Sequence, residues 1–140
     1  TMKVKRILSM ILSVICVVTL CVPACAVESR ASDQIVAYKM MVDPFPGRMS
    51  VYFSVIGTGE VDKLGCESIY VYKMEDMDWV LVETKLEDDP GMSSKNTYDH
   101  TDRVYCSTES GEAYKLVVTI FSENSKGRDT RSQTFYEIGQ

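Results

Sequence analysis

A length of 140 residues bounds the chain to one domain. Its 20 acidic residues outnumber the 15 basic ones, a formal net charge of −5, and no Lys/Arg cluster stands out in the body of the chain. That balance argues against DNA, RNA and anionic lipid headgroups as partners, because phosphate contacts need clustered cations.

The chain opens with Lys3, Lys5 and Arg6, followed by an uncharged apolar run over residues 7–22 and then "PACA". A basic start, an apolar middle and a small-x-small site at Ala24-Cys25-Ala26 make an export signal, residues 1–26. The 16-residue run is short for a membrane span, although a retained N-terminal anchor is the alternative. "VPAC" also resembles a bacterial lipobox, which makes Cys25 a candidate for lipidation beside plain secretion. Cleavage after Ala26 leaves 12 basic residues against 20 acidic ones, a formal charge of −8; acidity of this size keeps an exported chain soluble, with a cationic partner as the other reading.

Residues 27–34 read as a flexible lead-in, and residues 35–138 as a β domain. "QIVAYKMMV" is the first expected strand, with Val36, Tyr38, Met40 and Val42 on one face. "DPFPG" is a turn or an irregular edge, since Pro44 and Pro46 lack amide donors. "RMSVYFSVIG" alternates Met49, Val51, Phe53 and Val55 with polar neighbours, the period of a half-buried strand. The glycine-punctuated "GTGEVDKLGC" reads as a linker, with Val61 and Leu64 plugging one end of the core.

"ESIYVYKM" then points Ile69 and Val71 inward and Tyr70 and Tyr72 outward. In "WVLVET", Trp79 and Leu81 share one face and Val80 and Val82 the other. Residues 85–100 are expected to be a long irregular loop, beyond the usual length of a connection. "TDRVYC" is a weak strand, "YKLVVTIF" a strong one, and "TRSQTFYEI" the last. Seven short alternating strands point to a two-layer β-sandwich, with a small barrel as the alternative.

Cys66 and Cys106 are the cysteines that survive cleavage. A pair in an exported chain predicts a disulfide, worth about 4 kcal/mol for a loop of this size. Two unpaired thiols, or a metal site, are the other readings, and the metal is poorly supplied because His100 is the one histidine.

"GEAYKLVVTIFSENSKG" resembles fibronectin type III and related immunoglobulin-like domains through Gly111, Tyr114, Asn124 and Gly127. The resemblance implies a seven-stranded immunoglobulin/fibronectin type III-like sandwich after an N-terminal signal helix. It also implies that Tyr114 is a corner tyrosine, with its hydroxyl bonded back to nearby backbone. "GTGEVDKLGCESIYVYK", Trp79 and "TIFSENSKGRDTRS" are similar to short secreted proteins of gut Firmicutes. That likeness implies a Gram-positive, extracellular setting and no particular activity, with the cysteine pair an addition to the family fold.

No nucleophile elbow, zinc-protease or phosphate-loop pattern occurs. His100, flanked by Asp99 and Asp102, reads as a surface residue rather than a catalytic one, and no catalytic residue or cofactor is assigned. Glu87, Asp88 and Asp89 read as a solvated acidic loop rather than a calcium site, and no metal ligand is assigned. Tyr52, Tyr70 and Tyr72 are the candidate binding strip on an outer face. The expected function is that of an exported, non-enzymatic interaction module for an extracellular protein or glycan; a small secreted hydrolase or inhibitor is the alternative.

Overall fold

The computed structural model describes residues 34–140, so the export signal, the lipidation candidate Cys25 and most of the lead-in lie outside the described residues. The rest is all-β: β1 (Ile35–Phe45), β2 (Arg48–Glu75), β3 (Asp78–Leu86), β4 (Ser93–Ser107), β5 (Ala113–Asn124) and β6 (Gly127–Ile138). All six join one antiparallel sheet that curls over a single core, the general form of a half-barrel or sandwich.

Six described strands stand where seven were expected, because two of the seven are one. The linker at residues 57–66 carries strand geometry, and β2 runs 28 residues through it. The first arm of β2 pairs with β1 (Phe45↔Arg48 to Ile35↔Gly57) and, on its other edge, with β4 (Arg48↔Ser107 to Ile56↔Asp99). The second arm pairs with β5 (Lys63↔Glu123 to Lys73↔Tyr114) and, opposite, with β3 (Ser68↔Leu86 to Glu75↔Asp78). β6 extends the second arm beyond β5.

Burial follows the period of two until the register slips. Met49, Val51, Phe53 and Val55 are fully buried on the first arm, and Ile69 and Val71 on the second. Between them the buried set moves to Leu64 and Cys66, and an irregularity between Cys66 and Ser68 returns it to odd positions. An extra residue in one strand switches which side chains face inward and bends the strand. Val61 and Leu64 are both buried at this bend.

β1 carries a similar slip between Ile35 and Ala37. It explains part of a departure from the expected face, since Ile35 is buried and Val36 exposed; Tyr38 keeps the face of the buried Met40 and Val42, opposite Val55, and is exposed because it lies at the edge of the core. Gln34, expected to close a flexible lead-in, is buried: its amide donates to Asp129 Oδ2 at 3.2 Å and its Nε2 to the Gly127 carbonyl at 2.8 Å.

Tight two-residue turns join β1 to β2, β2 to β3 and β5 to β6. Pro46-Gly47 links β1 to β2, with Gly47 at φ 76°, as a Pro-Gly turn requires. Asp76-Met77 links β2 to β3 with both residues at positive φ, the hairpin geometry that follows strand twist. The expected long loop shrinks to residues 87–92, since β4 begins at Ser93 and is a 15-residue strand rather than a weak one. Polar side chains hid it: only Cys106 of its fifteen residues is buried, so no apolar period marks it.

This short β3–β4 connection lies directly on Gly65. The Cys66 amide donates to the Met92 carbonyl at 2.7 Å, and Met92 itself is buried. A Cβ on Gly65 would stand 2.3 Å from that carbonyl oxygen and 2.6 Å from the Ser93 Cα, at a φ of 146° that side-chain-bearing residues rarely adopt. Gly65→Ala should therefore cost about 3 kcal/mol. Gly59→Ala, whose Cβ meets nothing within 4 Å, should cost under about 0.5 kcal/mol. Urea midpoints of the two variants check the contrast.

Candidate functional site

The outer face of the second arm is built by residues that the alternation turns away from the core. On β2 these are Tyr70 and Tyr72, on β5 Lys115 and Val117, with Leu81 opposite Tyr72 on β3 and Tyr136 opposite Lys115 on β6. Residues directly opposite in an antiparallel pair share a face. Tyr136 is 65% exposed, and Leu81 and Ile138 are about half exposed.

Trp79 reaches across this face from β3. Its ring lies 5.9 Å from that of Tyr136, tilted by 50°, in the range of favourable aromatic pairs. Between them a shallow recess of about 200 Å³ is lined by Trp79, Ala113, Tyr114, Tyr136, Glu137 and Ile138. The small side chain of Ala113 leaves the room that the two rings share. The Lys115 ammonium sits 4.5 Å from the Tyr72 ring centre and 5.5 Å from that of Trp79, so one cation ties the two aromatics together.

The predicted strip is thus only partly assembled. Tyr70 and Tyr72 lie on this face, but Tyr52 belongs to the other arm of β2, opposite Arg103, whose guanidinium covers its ring at 5.5 Å. Arg48 caps Tyr105 on the same arm at 4.3 Å. Trp79 and Tyr136 complete the platform and were absent from the sequence-based strip. Their meeting across β2 and β5 has no signal in the local pattern, although Trp79 and Leu81 do share a face as the alternation predicts.

The acidic loop is not free. Glu87 binds Arg128 through both carboxylate oxygens at 3.1 Å and Lys63 at 2.8 Å. Lys63 also holds Asp88 at 2.7 Å, and Arg128 adds Glu67 at 2.8 Å and Glu123 at 3.1 Å. Asp89 accepts from the Leu86 amide at 2.7 Å. Among the described residues no cluster of His, Cys, Asp and Glu is arranged to hold a metal ion. The Arg128 guanidinium lies 4.2 Å over the Phe121 ring, which is buried on the outer face outside the main core.

His100 is held at both nitrogens. Its Nε2 donates to the Gly91 carbonyl at 2.8 Å, which leaves Nδ1 of the neutral ring to accept from Ser94 Oγ at 2.7 Å. Its ring stacks on Phe53 at 5.7 Å. These contacts anchor the β3–β4 connection to β4.

Tyr114 is buried and its hydroxyl accepts from the Glu109 amide at 2.7 Å, five residues back. Cys66 and Cys106 are both fully buried, free thiols. Burial pushes each up to about 12, and the Glu83 carboxylate adds to the effect at Cys106. Neither is an active nucleophile at neutral pH in this state.

With this geometry in place, comparison with known proteins adds no assignment: no family model matches the chain, and no curated protein matches it.

The Arg128 cluster has a pH signature. The hydrogen bonds from Arg128, and then from Lys63, hold the Glu87 carboxyl below its ordinary value, and Lys63 does the same for Asp88. A depressed folded value contributes stability above the unfolded value, roughly pH 4.3 for Glu, and loses it as pH falls through the folded value. Arg128→Ala should cost roughly 1–2 kcal/mol at neutral pH, through lost ion pairs and the Phe121 contact. Urea midpoints at about pH 3 should show a smaller gap between variant and parent.

Proposed function

We propose that the chain is an exported, non-enzymatic interaction module that docks a partner protein on the outer face of its second arm. The observation that carries this reading is the Trp79–Tyr136 pair with Lys115 beside it, on a face where Tyr136, Leu81 and Ile138 are exposed. Trp and Tyr anchors flanked by exposed apolar residues such as Leu81 and Ile138 are the composition of protein-binding hot spots. The apolar flank favours a protein over a glycan, which would draw on polar side chains around the rings.

Export is supported by the basic-apolar-small pattern over residues 1–26, with lipidation at Cys25 as its variant. The immunoglobulin- and fibronectin type III-like reading draws its support from the buried Tyr114 and its bond to the Glu109 amide. The likeness to short Firmicutes proteins supports a Gram-positive cell surface or its surroundings as the setting. The hydrolase alternative has the Ser94–His100 contact in its favour, but neither residue lines the recess between Trp79 and Tyr136.

Trp79 is the one tryptophan of the chain, so its emission reports directly on the platform. Protein and glycan arrays probed with the exported chain should yield a protein binder that shifts this emission. Tyr136→Ala should weaken that binder about tenfold or more. A glycan-only result, or a binder indifferent to Tyr136→Ala, would overturn the protein-docking reading.

On the same reading we propose that Cys66 and Cys106 become disulfide-bonded after export, since oxidising compartments favour the bond. Intact mass of exported material should lie 2 Da (about two hydrogens) below the reduced mass, with neither thiol alkylated before reduction. Two alkylatable thiols in unfolded, unreduced material would show that the bond is absent.

A further inference from the structure

A second, larger recess opens between the arms at the end of the core where β4 stops. It encloses about 490 Å³ and is lined by Lys73, Glu75, Val82, Glu83, Ser107, Thr108, Glu109 and Tyr114. Its polarity follows from the register. Glu83 pairs opposite the core residue Val71, and Lys73 opposite the buried Tyr114, so both charged side chains point to the core side of the sheet. A charge placed there is costly unless it is paired.

The pairing is incomplete in one direction only. Lys73 is taken by Glu109 at 2.8 Å and Glu75 at 3.7 Å. One oxygen of Glu83 lies 3.4 Å from Lys85; its Oε2 is buried and makes no regular hydrogen bond, the weakly donating Cys106 thiol being the carboxylate's other neighbour. Thr108, only 9% exposed, lines the same recess, and its Oγ1 is also buried without a partner. The lining carries three carboxylates against one ammonium, and Lys85 behind Glu83 still leaves an excess of negative charge.

A carboxylate oxygen can only accept, and a hydroxyl can accept as well as donate, so the missing partner is a donor. A cation supplies donors and charge together, and charge-assisted bonds are the stronger kind. The absence of a metal-holding cluster among the described residues favours an organic cation over a metal ion.

We propose that this recess binds an organic cation, a primary ammonium or guanidinium group, between Glu83 and Thr108. Such a group is carried by a basic side chain, an amino terminus or a free polyamine. This site is separate from the aromatic platform and does not rest on it. Lys73 plays a positioning part, holding Glu109 and Glu75 at the rim, while Glu83 supplies the charge.

Agmatine, which carries both kinds of cation, is the probe. Titrated at low salt into the ¹⁵N-labelled chain, it should move the amide signals of Glu83, Thr108 and Glu109 saturably, with half-saturation at or below about 10 mM. Glu83→Gln should weaken it about tenfold and Thr108→Val about threefold, while Tyr98→Ala, on exposed β4, should leave it unchanged. Butyrate, of opposite charge, should not bind. Each variant's amide spectrum shows whether it is folded, and Thr108→Val serves if Glu83→Gln is not. No saturable shift at these residues, equal response to butyrate, or undiminished binding in the folded variants would overturn the proposal.

Discussion

The structure depends on one strand changing partners without ending. Buried backbone amides and carbonyls need partners throughout, and β2 finds them over 28 residues by trading β1 for β5 on one edge and β4 for β3 on the other. Where the exchange happens, the Cys66 amide bonds the Met92 carbonyl and Gly65 lets the connection lie against the strand. The bend brings Met49, Val51, Phe53 and Val55 into the same core as Ile69, Val71, Leu116, Val118 and Ile120. A side chain at Gly65 would push apart the contact that closes this core.

The two outer faces have different fates because different cations meet their rings. On the first arm, Arg48 and Arg103 cover Tyr105 and Tyr52. At the far end of the second arm, Arg128 and Lys63 cover Phe121 while neutralising the acidic loop. At the near end, Lys115 touches Tyr72 and Trp79 but leaves Tyr136 open. The result is an uncovered aromatic area at the near end of the second arm.

Tyr114 links this area to the charged recess. Its side chain lines both, and its hydroxyl fixes the Glu109 amide, so one buried ring sets the wall between two surfaces of opposite chemistry. Removing a buried hydrogen-bond acceptor leaves a donor unpaired, and here that donor belongs to the segment that carries Glu109 and Thr108.

The alternation of Met49 to Val55 and of Tyr114 to Ile120, the inward Ile69 and Val71, and the buried plug of Val61 and Leu64 were legible in the sequence, because side chains on a half-buried strand repeat every two residues. So was the outward pair Tyr70 and Tyr72. The union of two expected strands into β2 was not legible, since glycines that mark a linker also permit a bend. Nor was the length of β4, whose polar side chains carry no period. Which tyrosines share a surface, and that Trp79 meets Tyr136, depended on strand order and on the slips at Ala37, Ser68 and Tyr72. Local pattern fixes which way a residue points relative to its neighbours. Only the pairing of distant strands decides what it points at, because a slip of one residue reverses the face.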